Sequence, residues 1–137
     1  METTGTHCMV ELYDCPSELL NDKKAITQAL REAVDVGMAD LLGEVSHQFT
    51  PQGVTALGLL SESHISIHTW PEHGYAAADV FTCGQRADAE KACLYLVDAL
   101  QANRHEFIKL IRGTGGPSRI ASGGLSAEVD EPVGNLA

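Results

Sequence analysis

Residues 54–83 read VTALGLLSESHISIHTWPEHGYAAADVFTC, and this run decides the fold. Val54 to Leu60, His64 to Thr69 and Tyr75 to Cys83 read as three strands, separated by Ser61 to Ser63 and by Trp70 to Gly74 with its Pro71 and Gly74. Before them, Asp40 to Phe49 reads as another strand, entering through the turn Thr50-Pro51-Gln52-Gly53. These connections are too short for parallel crossovers, so the four strands are expected to be antiparallel. Working outward, His7 to Tyr13 alternates, with Cys8, Val10 and Leu12 on one side, and reads as a strand. Asp22 can cap a helix running to about Val36, with Ile26, Leu30, Ala33 and Val34 on one face and Gly37 to end it. Asp88 can cap a second helix, in which Ala92, Cys93, Leu96, Val97 and Leu100 recur at helical spacing, and Arg104 to Ile111 closes the series as a strand. The order of elements predicts an α+β fold, a two-layer α/β sandwich with a mainly antiparallel sheet and two helices on one face.

The chain has 137 residues, the size of one domain with a real core. It carries 9 Lys+Arg against 19 Asp+Glu, a formal charge of -10. That balance argues against a nucleic-acid or anionic-membrane surface, both of which need clustered positive charge. No apolar run approaches the roughly 20 residues that span a bilayer. The polar stretch Met1 to His7 has no hydrophobic signal region, and Cys8, Cys15, Cys83 and Cys93 form no CxxC pair, so a reducing cytoplasm is the expected compartment. Residues 1–112 form one expected domain. Residues 113–137 hold a Gly-rich and acidic tail, expected to be mostly flexible. Its Gly113-Thr114-Gly115-Gly116 lacks the Lys-Ser/Thr and strand-to-helix context of a phosphate loop.

Ser61 to Tyr75 concentrates three of the six histidines, the only tryptophan and three serines. His64 and His68 have H-x3-H spacing, but on a strand they stand roughly 13 Å apart, too far to share one metal ion easily. No metal is therefore expected. Ser63 lies between Glu62 and His64, outside any G-x-S-x-G elbow, so a serine hydrolase is disfavoured. Cys83 is open to two readings, a thiol with a chemical role or a small core residue. Cys8 and Cys93 fall on apolar faces and are read as structural.

Glu62-Ser63-His64 followed by Ile67-His68-Thr69-Trp70-Pro71-Glu72, Gly74-Tyr75-Ala76-Ala77 and Phe81-Thr82-Cys83-Gly84 resembles the bacterial and archaeal S-adenosylmethionine decarboxylase proenzymes. The resemblance runs from Gly5 to about Arg112, and none is found in the tail. It implies self-cleavage between Glu62 and Ser63, giving chains of 62 and 75 residues. The Ser63 hydroxyl attacks the Glu62 carbonyl, the amide becomes an ester, β-elimination releases the first chain, and loss of ammonia leaves a pyruvoyl group. That ketone forms a Schiff base with the substrate amine and acts as electron sink during decarboxylation, so no exogenous cofactor is needed. The resemblance further implies His68 for proton transfer in processing, Cys83 as proton donor in catalysis, and a processing hydroxyl at Thr55, where serine is the usual residue. Thr55 keeps the hydroxyl with stiffer rotamers, which slows processing if the role transfers. Phe49 matches the aromatic that stacks on adenine, against core packing at a strand end. Glu72 matches the acid that holds the ribose hydroxyls, against a solvated turn charge.

Geometry bears on part of this without the family. If the turn centres near residue 72 or 73, opposed positions sum to about 145, and Ser63 is expected to face Cys83 with Cβ atoms about 4.5–5.5 Å apart. His68 has the opposite parity and lies roughly 16 Å along the strand from Ser63. The family resolves such a separation by dimerising, which implies a homodimer of cleaved protomers with active sites between subunits. Phe49, Thr55, His68 and Glu72 then serve the Ser63 and Cys83 of the opposite subunit. The expected activity is pyruvoyl-dependent decarboxylation of S-adenosylmethionine, whose product is the aminopropyl donor for spermidine. Its sulfonium cation suits aromatic faces. A decarboxylase of ornithine or arginine and an uncleaved, non-catalytic binding subunit are the alternatives.

Overall fold

The computed structural model describes residues 3–124. Its elements are β1 (Gly5–Tyr13), α1 (Ser17–Leu20), α2 (Lys23–Val36), β2 (Leu41–Gln48), β3 (Val54–Leu60), β4 (Ser63–Trp70), β5 (Tyr75–Cys83), α3 (Ala89–Ala99), β6 (Arg104–Arg112) and β7 (Ser118–Gly124). A single 3-10 turn, Pro71–His73, joins β4 to β5. The strands form one sheet in the order β2-β3-β4-β5-β1-β6-β7, with every neighbouring pair antiparallel. This is the α+β two-layer sandwich expected from the sequence.

The described helices lie on one face of the sheet. Asp22 caps α2 by accepting a hydrogen bond from the Ala25 amide, and Asp88 caps α3 from the Lys91 amide. Such caps satisfy amides that have no partner within the helix. α2 packs over β2, β3 and β4, and α3 over β1 and β5. Cys8, Val10, Leu12, Ile26, Leu30, Ile65, Ile67, Val80, Cys93 and Leu96 meet between the layers, all essentially inaccessible. Leu30→Ala is expected to destabilise the protein by about 2–5 kcal/mol, measured as a lower urea midpoint with an unchanged slope.

Two features depart from the expected layout. The short helix α1 follows Pro16, which pre-sets its own φ but gives no side-chain cap. α1 is fixed from outside instead: the buried Thr69 hydroxyl donates to the Leu20 carbonyl at 2.7 Å and accepts from the Val54 amide at 2.9 Å. The tail also needs correction. Residues 118–124 are a seventh strand paired to β6, not flexible chain. Gly116, with φ 87, closes the connection by donating its amide to the Gly113 carbonyl at 3.0 Å. The glycines read as loose chain thus supply a turn between paired strands. Residues 125–137, the rest of that expected tail, lie outside the described residues.

Among the described residues no layer covers the other sheet face. Period-2 alternation places Val45, Thr55, Leu57, Leu59, His64, Ser66, His68, Asp79, Phe81, His7, Met9 and Glu11 there. Val45 and Leu59 are 62% and 60% exposed.

Candidate active site

Leu60 pairs with Ser63, so Ser61 and Glu62 form the tight turn between β3 and β4, with Ser63 as the first residue of β4. The turn is held from two sides. Ser61 donates its amide to the Asp40 carbonyl at 3.0 Å, and the Asp40 amide donates to the Glu62 carboxylate at 3.3 Å. On the other side the Cys83 amide donates to the Glu62 carbonyl at 3.0 Å. Ser63 has φ 154, a region L side chains rarely adopt, with a typical cost of about 1–3 kcal/mol. Strained backbone therefore directly follows the Glu62–Ser63 peptide bond. Glu62, Ser63, Cys83 and Gly84 line one open cleft of about 440 Å3.

The expected direct opposition of Ser63 and Cys83 is off by one residue. Trp70 pairs with Tyr75 and the ladder runs without a shift to Ser63 opposite Thr82. Pro71–His73 and Gly74, in the left-handed region at φ 59, make a four-residue connection, so paired positions sum to 145 and never to 146. Thr82 is buried toward the helices. Cys83 has the parity of the uncovered face, and it meets the Ser63 region through its backbone amide and the shared cleft.

Thr55 and His68 are direct partners across β3 and β4, with Thr55 Oγ1 and His68 Nδ1 3.1 Å apart. They lie on the uncovered face, five residues along β4 from Ser63. Phe49 and Glu72 sit toward this end too. Gly53, whose carbonyl accepts the Phe49 amide at 2.8 Å, lies against Thr69 and Pro71. Phe49 is 47% exposed, with its ring 4.6 Å from that of His47, so it is not part of the core. Glu72 is exposed in the 3-10 turn. Trp70 stacks on Tyr75 at 5.2 Å beside that turn. Within one protomer the structure therefore gathers Ser63 with Cys83 at one end of the hairpins, and Thr55, His68, Phe49 and Glu72 toward the other.

The remaining thiols are poor candidates for chemistry. Burial pushes the Cys8 thiol up to about 12 and the Cys15 thiol to about 11, and raises that of Cys93 well above its ordinary value. Such thiols stay protonated and unreactive.

Sequence reasoning missed one cluster at the centre of the uncovered face. The Asp79 carboxylate accepts from His7 Nε2 and His64 Nε2, each at 2.7 Å, and from the Ser66 hydroxyl. Burial acts to raise the Asp79 pKa, but the bonds from Ser66, His64 and His7 outweigh it and hold the carboxyl below its ordinary value. His7, His64 and Asp79 are close enough together to invite a metal reading. Arg112 argues against it. Its guanidinium can only donate, so His7 Nδ1, 3.1 Å away, accepts, and the ring proton sits on Nε2 facing Asp79. A nitrogen in that state is a donor and not a ligand. The available signal was the register itself: 66 and 79 also sum to 145, which places the one carboxylate of β5 opposite Ser66.

The uncovered, mixed-polarity sheet face thus carries Cys83 near one end and the Thr55–His68 pair toward the other, with the strained Glu62–Ser63 turn at its edge. The family model described as S-adenosylmethionine decarboxylase matches residues 6–113. The S-adenosylmethionine decarboxylase proenzyme of Prochlorococcus marinus (strain MIT 9211) is 53% identical over 110 residues, 80% of this chain and 90% of the relative. That of Parasynechococcus marenigrum (strain WH8102) is 50% identical over 129 residues, 94% of this chain and 95% of the relative. An alignment of that length must pass Gly113, so the likeness extends into the tail, where none was expected. The crystal structure of the adenosylmethionine decarboxylase from Aquifex aeolicus superposes with a TM-score of 0.72 at 32% identity, covering 96% of this chain and 100% of the other. The chain belongs to the S-adenosylmethionine decarboxylase family.

Proposed function

We propose that this chain cuts itself between Glu62 and Ser63, converts Ser63 into a pyruvoyl group, and with it decarboxylates S-adenosylmethionine to the aminopropyl donor for spermidine. The observation that carries the reading is the Glu62 carbonyl, held by the Cys83 amide at 3.0 Å beside a strained Ser63. Attack by the Ser63 hydroxyl puts negative charge on that oxygen, and the amide is already aimed at it. Breaking the Glu62–Ser63 amide also releases the constraint on the Ser63 φ. His68, polarised by its contact to Thr55, removes the Ser63 α-proton during β-elimination.

The pyruvoyl carbonyl condenses with an amine and withdraws electrons as carbon dioxide leaves. Cys83, lining the same cleft, supplies the proton to the carbon that lost carbon dioxide. Phe49 offers an open aromatic face for adenine, and Glu72 an open carboxylate for ribose hydroxyls.

The working unit is a homodimer. A two-layer sandwich with one bare sheet face has an incomplete interior, and a second sheet is its natural cover. Two copies related by a twofold axis bring the Ser63 and Cys83 end of one protomer onto the Thr55, His68, Phe49 and Glu72 end of the other. Four free thiols suit a reducing cytoplasm. Among the described residues no helix is long and apolar enough to cross a membrane.

Carbon dioxide release from S-adenosylmethionine, ornithine and arginine, measured side by side, tests the substrate. Turnover of S-adenosylmethionine alone is expected. Turnover of either other amino acid with S-adenosylmethionine inert overturns the reading. Cys83→Ala is expected to cleave yet lose about 10²–10⁴-fold in kcat with KM little changed, the usual scale of a lost general acid. Equal kcat per cleaved chain would remove Cys83 from the proton step.

A further inference from the structure

The Asp79 cluster has no part in the chemistry above, yet it holds the residue next to the cleavage site. If Ser63 becomes a pyruvoyl group, as proposed, residue 63 is the first residue of the new chain. It then has lost its peptide bond to Glu62, its amide N–H and its hydroxyl. Chain termini fray unless something ties them down. The ladder to Thr82 that fixed residue 63 is weakened in the same step.

His64 is the first intact residue of that chain. Its Nε2–H donates to Asp79 at 2.7 Å, and its ring lies 6.0 Å from those of both His7 and Phe81. Asp79 is itself immobilised, by His7 and by Ser66 directly across the ladder. His7 is in turn oriented by Arg112, whose guanidinium also covers the Phe81 ring at 4.6 Å. Arg112, His7, Asp79 and His64 form a continuous brace from β6 through β1 and β5 to the start of β4. The brace uses side chains only, so it survives the cut.

We propose that Asp79 is a positioning residue for decarboxylation: through His64 it holds the pyruvoyl terminus in register beside Cys83. The proposal rests on the self-cleavage reading. It predicts that losing the Asp79–His64 bond leaves cleavage intact and degrades the reaction of the cleaved enzyme.

The test compares wild type with Asp79→Ala, His64→Phe, His64→Gln and the double variant Asp79→Ala/His64→Phe. Intact mass gives the cleaved, pyruvoyl-bearing fraction, and kcat and KM are normalised to it. His64→Phe keeps an aromatic ring against Phe81 without the donor, and His64→Gln keeps an N–H for Asp79. Asp79→Ala and His64→Phe are expected to lose about ten- to a hundredfold in kcat per cleaved chain, the scale of a small misplacement at a reacting centre. KM should change little. The double variant should be no worse than either single one, and His64→Gln should recover part of the loss. Wild-type kcat in cleaved Asp79→Ala or His64→Phe overturns the brace and leaves the pyruvoyl reading standing. So does a double variant whose losses multiply. Folded variants that fail to cleave would move the contact into processing and also overturn it. A wild-type chain that never cleaves overturns the underlying reading instead.

Discussion

Ser63→Ala is expected to remain one chain of 137 residues under denaturing conditions, while the wild type separates into chains of 62 and 75 residues. The 75-residue chain should be lighter than a serine-initiated fragment by one ammonia, because a terminal serine and a pyruvoyl group differ in composition by that molecule. The effect is all-or-none. Alanine has no oxygen to attack the Glu62 carbonyl and none to leave in β-elimination, so neither half of the cut can proceed. The fold should tolerate the change. Ser63 is only half-buried, and among the described residues its hydroxyl has no hydrogen-bond partner. Intact-mass spectrometry of both proteins reads the outcome directly. A Ser63→Ala chain that still divides after Glu62 would mean that something other than the Ser63 hydroxyl cuts there, and the pyruvoyl mechanism would fail. An uncut wild type after extended incubation would favour a fold kept for binding.

The hairpins of residues 54–83 were legible because their punctuation is strong. Pro71 and Gly74 bound one connection and the polar Ser61-Glu62 the other, so β3 and β5 begin and end where the sequence reading places them. The helices were legible for a similar reason, since Asp22 and Asp88 both cap as expected. The partnership of Ser63 with Cys83 was read one residue wrong. Pairing across a hairpin depends on the length of its connection, and a one-residue slip exchanges the faces of the sheet. The 3-10 turn sets that length, and only backbone geometry defines it. α1 was missed because a Thr69 hydroxyl from a distant strand holds it, and β7 because its strength lies in β6. Asp79 shows a further limit. Its partners come from β1 and β4, and β1 reaches β5 only through sheet order, which local patterning does not specify.

Two individually inactive variants are expected to restore cleavage when produced together. His68→Ala alone should stay uncut or cut very slowly, and Ser63→Ala alone cannot be cut. In a mixed dimer the His68→Ala protomer still has Ser63, and the Ser63→Ala protomer still has His68. If His68 serves the opposite subunit, one site in that dimer is complete, and the His68→Ala chain should divide after Glu62. The parity of β4 makes this sharp. Ser63 has the parity of Ile65 and Ile67, whereas His68 bonds to Thr55 on the uncovered face five residues away. Within one protomer no change of rotamer at either side chain can close a gap of roughly 16 Å along the strand. Co-expression with distinguishable tags, followed by intact mass of each chain, gives the answer. Up to half of the His68→Ala chains should be cut if the two subunits mix at random and cleavage runs to completion. A His68→Ala chain that stays whole in proven mixed dimers would place both groups in one protomer, and the shared-site arrangement would have to be abandoned. Rescue would also locate the bare sheet face as the interface, since no other surface of the protein carries His68 and Thr55.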